Sequence, residues 1–101
     1  MPAAGRDAAE IVFVAGSSQL LQPAADEVKA FATKRGNAII SVTGYGEASG
    51  GDPATQSAAI TLGLARAQAV VAVLKADGVP ANAIQVNAEA SGRGAALRLL
   101  Q

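Results

Sequence analysis

The hydrophobic pattern of the chain predicts four strands and two helices. Short runs of β-branched or alternating apolar residues predict strands at residues 10–14, 38–45, 83–88 and 96–100. Between the first three strands, apolar residues recur at spacings of three and four, which predicts helices starting near residue 21 and at residue 53. Because strand–helix–strand crossovers are right-handed, the order β-α-β-α-β-β predicts an α/β two-layer sandwich with both helices packed on one face of a mixed sheet.

Residues at the ends of the two predicted helices support these limits. Gly36 is a natural stop for the first helix. Asp52 and Pro53 are typical of a helix start, with Asp52 as the N-cap, and Gly78 ends the second helix near residue 77. The buried face of the second helix is predicted to be an apolar seam spaced by four and three: Ile60, Leu64, Ala67, Val71 and Leu74.

Length and charge narrow the class of protein. The chain has 101 residues, which suits one domain, and we expect residues 1–9 to be a flexible lead-in and residues 10–101 to be the domain. With 8 Lys plus Arg, 8 Asp plus Glu and 3% aromatic residues, the chain lacks the basic surface and stacking side chains of a nucleic-acid-binding protein. No signal peptide is visible, and the longest apolar run, residues 69–74, is too short to span a bilayer. We therefore expect no membrane insertion by this domain itself.

The sequence contains no Cys and no His. Their absence excludes disulfides, thiol nucleophiles, imidazole bases and most zinc or iron sites. An enzyme would need a carboxylate pair or a Ser–Lys arrangement, and Glu47, Asp52 and Glu89 are the candidate acids, although solvated loop charges are the simpler interpretation. We therefore predict that the protein is not an enzyme and has no catalytic residue, metal site or cofactor.

Two segments are candidates for ligand binding. The first is a glycine-rich loop, residues 44–50, between a strand end and a helix start, where glycines permit tight turns and present backbone amides. It is not a dinucleotide fingerprint, because Ser49 stands where the third glycine would be, and a plain structural loop is about equally compatible. The second is Arg66, about 100° round the predicted helix from Ala67 of the seam. Its side chain either extends over the sheet edge into solvent or binds a carboxylate.

Together these segments resemble a known family. The loop aligns without gaps with the pattern G-(H/Y)-T-D-x-x-G and shares Gly44, Tyr45 and Gly50 with it. Residues 59–70 align in the same way with N-x-x-L-S-x-x-R-A-x-x-V and share Leu62, Arg66, Ala67 and Val70. Further matches in register are Phe13, Gly16, Ser17 and Leu20 near the N-terminus, and Gly78, Val79 and Pro80 after the second helix. On these motifs, over residues 10–101, the chain resembles the OmpA-like domain of outer-membrane porins, peptidoglycan-associated lipoproteins and flagellar motor stators.

The resemblance implies a function. In the family, the Asp of the loop motif and the Arg of the helix motif grip the diaminopimelate of the peptidoglycan stem peptide. By resemblance, Glu47 binds the ammonium group and Arg66 the carboxylate, with Tyr45 and Gly46 as neighbouring ligand-binding residues. A zwitterionic amino-acid centre needs one anion and one cation at such spacing. The resemblance therefore implies a non-catalytic module of the periplasm or cell envelope whose partner is peptidoglycan.

The chain departs from the family pattern at three polar positions. Gly46 stands in place of the Thr, Ala59 in place of the Asn, and Gly63 in place of the Ser. We expect Gly46 to loosen the loop that aims Glu47, whose side chain is one methylene longer than the family's Asp. The alternative function is therefore a divergent OmpA-like domain that does not bind cell wall and serves as a structural module or binds other proteins of the cell envelope.

Overall fold

The computed structural model of the protein describes residues 8–14, 16–34, 38–48 and 51–100. The strands are β1 (Ala8–Ile11), β2 (Ile39–Tyr45), β3 (Ile84–Glu89) and β4 (Ala95–Leu100), and the helices are α1 (Gln22–Lys34) and α2 (Pro53–Ala76). A single 3-10 turn, Ala81–Ala83, precedes β3. The predicted order of elements is confirmed. Of the lead-in expected over residues 1–9, residues 1–7 lie outside the described residues, as does the stop at Gly36, whereas Ala8 and Ala9 belong to β1.

The strands form one mixed sheet in the order β1-β4-β2-β3. β2 and β3 are parallel, with Ile40 opposite Ile84, whereas β4 is antiparallel to both β1 and β2. Alternate residues of β2, among them Ile40 and Val42, are fully buried on the side that packs against the helices. The predicted α/β sandwich with a mixed sheet is therefore confirmed. Because β1, β2 and β3 run in one direction, their carboxyl ends meet at one end of the sheet, where β4 begins.

The first strand begins and ends earlier than predicted. β1 ends at Ile11, which is opposite Ala95, the first residue of β4. The predicted strand at residues 10–14 is therefore wrong beyond Ile11, because the partner strand has no residue left to pair with Val12. Val12 is 78% exposed, whereas Phe13 turns inward and is buried. The chain thus leaves the sheet as a loop that carries one aromatic ring into the core.

The predicted seam of α2 is also wrong in part. Ile60 and Leu64 are 41% and 40% exposed. The helix buries a different set, most of it small: Ala59, Gly63, Arg66, Ala67, Val70 and Leu74. Apolar residues lie on every side of this helix, so their spacing alone does not identify the face that meets the sheet. The buried face is instead the one whose small residues let the helix backbone come close to the sheet. A Cβ atom on Gly63 would lie 2.6 Å from the carbonyl oxygen of Gly44 in β2.

The predicted limits of α2 are confirmed. Asp52 is the N-cap, and its side chain accepts a 2.8 Å hydrogen bond from the backbone N–H of Thr55. At the other end, Gly78 has a φ of 96°, a conformation that favours glycine, and the helix stops there. By length and composition alone α2 would be able to cross a membrane. It packs along β2 and β3 instead, with a buried arginine in its middle.

Candidate ligand-binding site

Three loops converge at the end of the sheet where β1, β2 and β3 finish. They are residues 12–14 and 16–17 after β1, residues 46–48 after β2, and residues 90–94 between β3 and β4. The second loop continues the pairing of β2 with its neighbour, because Gly46 N–H donates to the carbonyl of Glu89 at 2.9 Å and Ala48 N–H to that of Ala90 at 2.7 Å. The loop that carries the family motif is therefore fixed to its neighbour by backbone hydrogen bonds.

Gly46 does not loosen this loop, contrary to the expectation from its sequence. The residue is buried, and a Cβ atom built on it would overlap the carbonyl group of Ala59 in α2. Only glycine permits that approach, because the atoms it would meet belong to the backbone of α2. The departure at Gly46 therefore lets the loop and the helix touch through their backbones.

Arg66 is the centre of the site and is fully buried, with 0% of its side chain exposed. Its Nε donates to the carbonyl of Ser17 at 2.8 Å, and Nη1 donates to that of Tyr45 at 2.8 Å. Nη2 donates to the carbonyl of Val14 at 3.2 Å and to the Oε2 of Glu47 at 2.9 Å. The guanidinium therefore ties the loop after β1 to the end of β2.

An aromatic ring covers the same guanidinium. The Cζ atom of Arg66 lies 5.2 Å from the centroid of the Phe13 ring, within the range of a cation–π contact. Of the two interpretations made from spacing, only the extension into solvent is therefore wrong. The side chain does not extend into solvent, and the carboxylate that it meets belongs to Glu47 of the same chain.

Glu47 holds its carboxylate in an unusual backbone conformation. Its φ is 65°, in the left-handed region that residues other than glycine rarely adopt. The Oε1 atom accepts from the backbone N–H of Gly16 at 3.2 Å, and Oε2 accepts from Arg66. A carboxylate has about four acceptor positions, so acceptor capacity remains after these two bonds. The side chain is 26% exposed, and this open part faces solvent.

The surroundings favour the ionised form of this acid. The hydrogen bond from Arg66 lowers the pKa of Glu47 below its ordinary value of 4.5, as do the bond from Gly16 and the charges of Arg66 and Arg93. Partial desolvation raises the pKa of Glu47, but the lowering effects are larger. Glu47 is thus a carboxylate at neutral pH, oriented by two bonds and partly open to solvent.

Glu47 lies at the margin of a groove of about 750 Å³. Its walls come from the end of β1 and the two other loops: Glu10, Ile11, Val12, Phe13, Glu47, Ala48, Gly92, Arg93 and Gly94. The lining combines apolar side chains with two acids and one accessible cation, Arg93. Such a surface suits a ligand that has an aliphatic chain and carries charge at its end.

The four residues predicted to bind ligand have different positions. Glu47 lines the groove, and Arg66 lies behind it in the core. Gly46 contributes a buried backbone contact. Tyr45 donates its N–H to the carbonyl of Gly94 at 2.9 Å and packs its ring on Gly92, where a Cβ atom would lie 2.6 Å from the ring. Tyr45 thus supports the third loop.

Sequence reasoning missed Arg93 and the carbonyls of Val14 and Ser17 as parts of the site. The signal for Arg93 was its position between two glycines: Gly92 and Gly94 have φ values of 120° and 62°, which build the turn that presents it. No such signal marks backbone carbonyls, because any residue supplies one.

Two of the three acids considered for catalysis have structural partners. Asp52 caps α2, and Glu47 is paired with Arg66. Glu89 ends the edge strand β3 and is exposed. Within the part of the chain that the structure describes, no cluster of three or more acidic residues is arranged to hold a metal ion.

Comparison with known proteins supports the resemblance seen in the sequence. The model of the OmpA family matches residues 12–98. No curated protein sequence matches the chain significantly. The match to the family model covers the three loops, both helices and the buried arginine.

Solved structures share the fold. The OmpA-like domain of FopA1 from Francisella tularensis superposes with a TM-score of 0.76 at 17% identity, covering 94% of this chain and 77% of that one. The periplasmic domain of MotB from Helicobacter pylori gives 0.74 at 16% identity, covering 93% and 79%. The peptidoglycan-associated lipoprotein from Burkholderia pseudomallei gives 0.69 at 15% identity, covering 93% and 88%. At these identities the likeness concerns the fold.

Proposed function

Because the chain belongs to the OmpA family, we propose that it is a non-catalytic module that binds the stem peptide of peptidoglycan through diaminopimelate. One observation carries the proposal: the acid at the family's ligand position, Glu47, is held ionised at the margin of a groove. Glu47 stands where the family has Asp, so the negative charge is present at this position. We further propose that the domain works in the periplasm or elsewhere in the cell envelope, where this ligand occurs.

Glu47 binds the ammonium group of the ligand. Its carboxylate retains acceptor positions after the bonds from Arg66 and Gly16, and the side chain is 26% exposed. The cost of orienting a longer side chain is reduced because the two internal bonds already fix it. The aliphatic part of diaminopimelate then packs against Val12, the exposed apolar side chain of the lining.

Arg66 supports the site from the core. It holds Glu47 in place and connects the loops of Val14 and Ser17 with the end of β2. The resemblance assigns the ligand's carboxylate to Arg66, but the guanidinium is fully covered. Direct contact requires Val14 and Ser17 to move away from it and to give up its hydrogen bonds.

A titration followed by NMR tests the proposal. The labelled protein is titrated with a synthetic stem peptide that contains diaminopimelate. We expect saturable shifts of the amides of residues 12–14, 46–48 and 92–94, and about tenfold weaker binding by Glu47→Gln, since a charge-assisted bond becomes a neutral one. Glu27→Gln, which removes an exposed acid from α1, is the matched control and should bind as the wild type does.

The competing function is protein interaction. Ile60 and Leu64, one helical turn apart on α2, are 41% and 40% exposed, and exposed apolar side chains of this kind are common at protein interfaces. If the stem peptide causes no shifts at millimolar concentration, cell-wall binding is refuted and this function takes its place. Shifts that saturate equally in wild type and Glu47→Gln would retain binding but refute the role of Glu47.

A further inference from the structure

Among the described residues that line the groove, one is an accessible cation, and it is not the arginine of the family motif. Arg66 has no exposed surface, and its hydrogen bonds go to three backbone carbonyls and to Glu47. Arg93 lines the groove and is exposed. Among the residues that the structure describes, the one ion pair is between Arg66 and Glu47, so Arg93 has no carboxylate partner there. Its guanidinium is available for an anion of the ligand.

The turn that carries Arg93 is built firmly. Gly92 packs on the ring of Tyr45, and Gly94 passes so close to the carbonyl of Ile11 that a Cβ atom would overlap it. The carbonyl of Gly94 accepts the N–H of Tyr45 at 2.9 Å. Since both flanking glycines are in place against β1 and β2, the backbone position of Arg93 is fixed relative to Glu47.

We propose that Arg93, and not Arg66, binds the carboxylate of the ligand's zwitterionic end, in the groove that Glu47 also lines. The assignment rests on the proposed function, since it names the second half of the same site. A ligand end with adjacent ammonium and carboxylate groups matches an acid and a cation that line the same groove. The charge of Arg93 also acts on Glu47, where it helps to lower the pKa of the carboxyl group.

The groove also contains Glu10, whose exposed carboxylate belongs to the same lining. Two acids and one cation favour an ammonium over a lone anion, so a simple carboxylate such as acetate should bind poorly. Recognition of the ligand's carboxylate therefore depends on the guanidinium of Arg93, which presents paired N–H donors to an anion.

A comparison of two peptides tests the proposal. One stem peptide has diaminopimelate, and the other has lysine at the same position, which keeps the ammonium group and lacks the carboxylate. We expect the wild type to bind the first about tenfold more tightly, and Arg93→Gln to bind both about equally. Arg93→Lys should retain part of the preference, because a cation remains without the planar fork. Arg98→Gln, an exposed arginine of β4 outside the groove, is the control and should keep the full preference.

The possible results distinguish a failure of the Arg93 assignment from a failure of the proposed function. A preference that is unchanged in Arg93→Gln overturns this assignment and leaves the proposed function standing. A wild type that binds both peptides equally has the same consequence, because the carboxylate is then not recognised. If the wild type binds neither peptide, the proposed function fails, and the assignment of Arg93 fails with it.

Discussion

The backbones of Gly44 and Gly63 lie in direct contact, without an intervening side chain. A Cβ atom on Gly44 would overlap the carbonyl group of Gly63, and one on Gly63 would lie 2.6 Å from the carbonyl oxygen of Gly44. This contact sets the distance between α2 and the sheet. It also places Arg66, three residues further along the helix, within reach of the carbonyls that it binds.

Replacing Gly63 with alanine should therefore destabilise the protein. In an ordinary helix interior, the change from glycine to alanine stabilises by about 1 kcal/mol. Here the new methyl group meets backbone atoms of Gly44 and Glu89 that cannot rotate away, and we expect a loss of about 1–3 kcal/mol in the free energy of unfolding. Urea denaturation followed by circular dichroism measures the change.

Gly51→Ala is the control for this substitution. A Cβ atom there would meet nothing within 4 Å, so we expect a change within about 0.5 kcal/mol. A Gly63→Ala protein that is more stable than wild type would show that α2 has room to move away from β2.

Replacing Arg66 should lower the free energy of unfolding, whether or not a ligand is present. Arg66→Met removes the donors from the carbonyls of Val14, Ser17 and Tyr45, and we expect a loss of about 3–5 kcal/mol, because buried acceptors are left without partners. Arg66→Lys should recover only part of this loss, since an ammonium group does not span the same acceptors. Chemical denaturation of both variants measures the effect.

Arg98→Met provides the comparison for the loss of one arginine. Arg98 is exposed on β4, and its replacement should change stability little. If Arg66→Met were as stable as Arg98→Met, the hydrogen bonds of Arg66 would contribute nothing, and the buried guanidinium would need another explanation.

The order of elements was predictable because it depends on local signals. Strands and helices have different hydrophobic periods, and Asp52, Pro53 and Gly78 mark the ends of α2 by their own chemistry. The face that α2 buries was not predictable in this way. Its apolar residues surround the helix, and the choice depends on Gly44, a residue of another element.

The site was predicted in part for a similar reason. The motif identified Glu47 and Arg66 as a pair in register, and the structure brings them within 2.9 Å of each other. The motif does not indicate that the two side chains form an ion pair with each other inside the protein. Nor does it indicate the other partners of Arg66, because these are backbone carbonyls. Arg93 is close to Glu47 only through the pairing of β2, β3 and β4, a relation between distant segments that residue spacing does not encode.

Asp52→Ala should lower the melting temperature by removing the N-cap of α2. The carboxylate of Asp52 accepts from Thr55 N–H, and this bond satisfies a donor that the helix leaves unpaired. Asp52→Asn should retain most of the stability, because an amide oxygen accepts the same bond. Thermal unfolding by circular dichroism distinguishes the two. Equal melting temperatures for wild type and Asp52→Ala would contradict the role of the cap.

Stability should depend on pH through Glu47. The bonds from Arg66 and Gly16 hold the pKa of Glu47 below its ordinary value of 4.5 in the folded protein. A carboxyl group whose pKa is lower when folded stabilises the protein fully above its unfolded pKa, and this contribution is lost as the pH falls through the folded value. The melting temperature of Glu47→Gln should therefore fall below that of wild type at pH 7, and the gap should narrow as the pH is lowered from about 4.5. Glu27→Gln, for an acid on the outer face of α1, should show no comparable narrowing. A difference in melting temperature between wild type and Glu47→Gln that is constant from pH 7 to pH 3 would mean that ionisation of Glu47 does not stabilise the fold. Its pairing with Arg66 would then serve only to orient the carboxylate towards the groove.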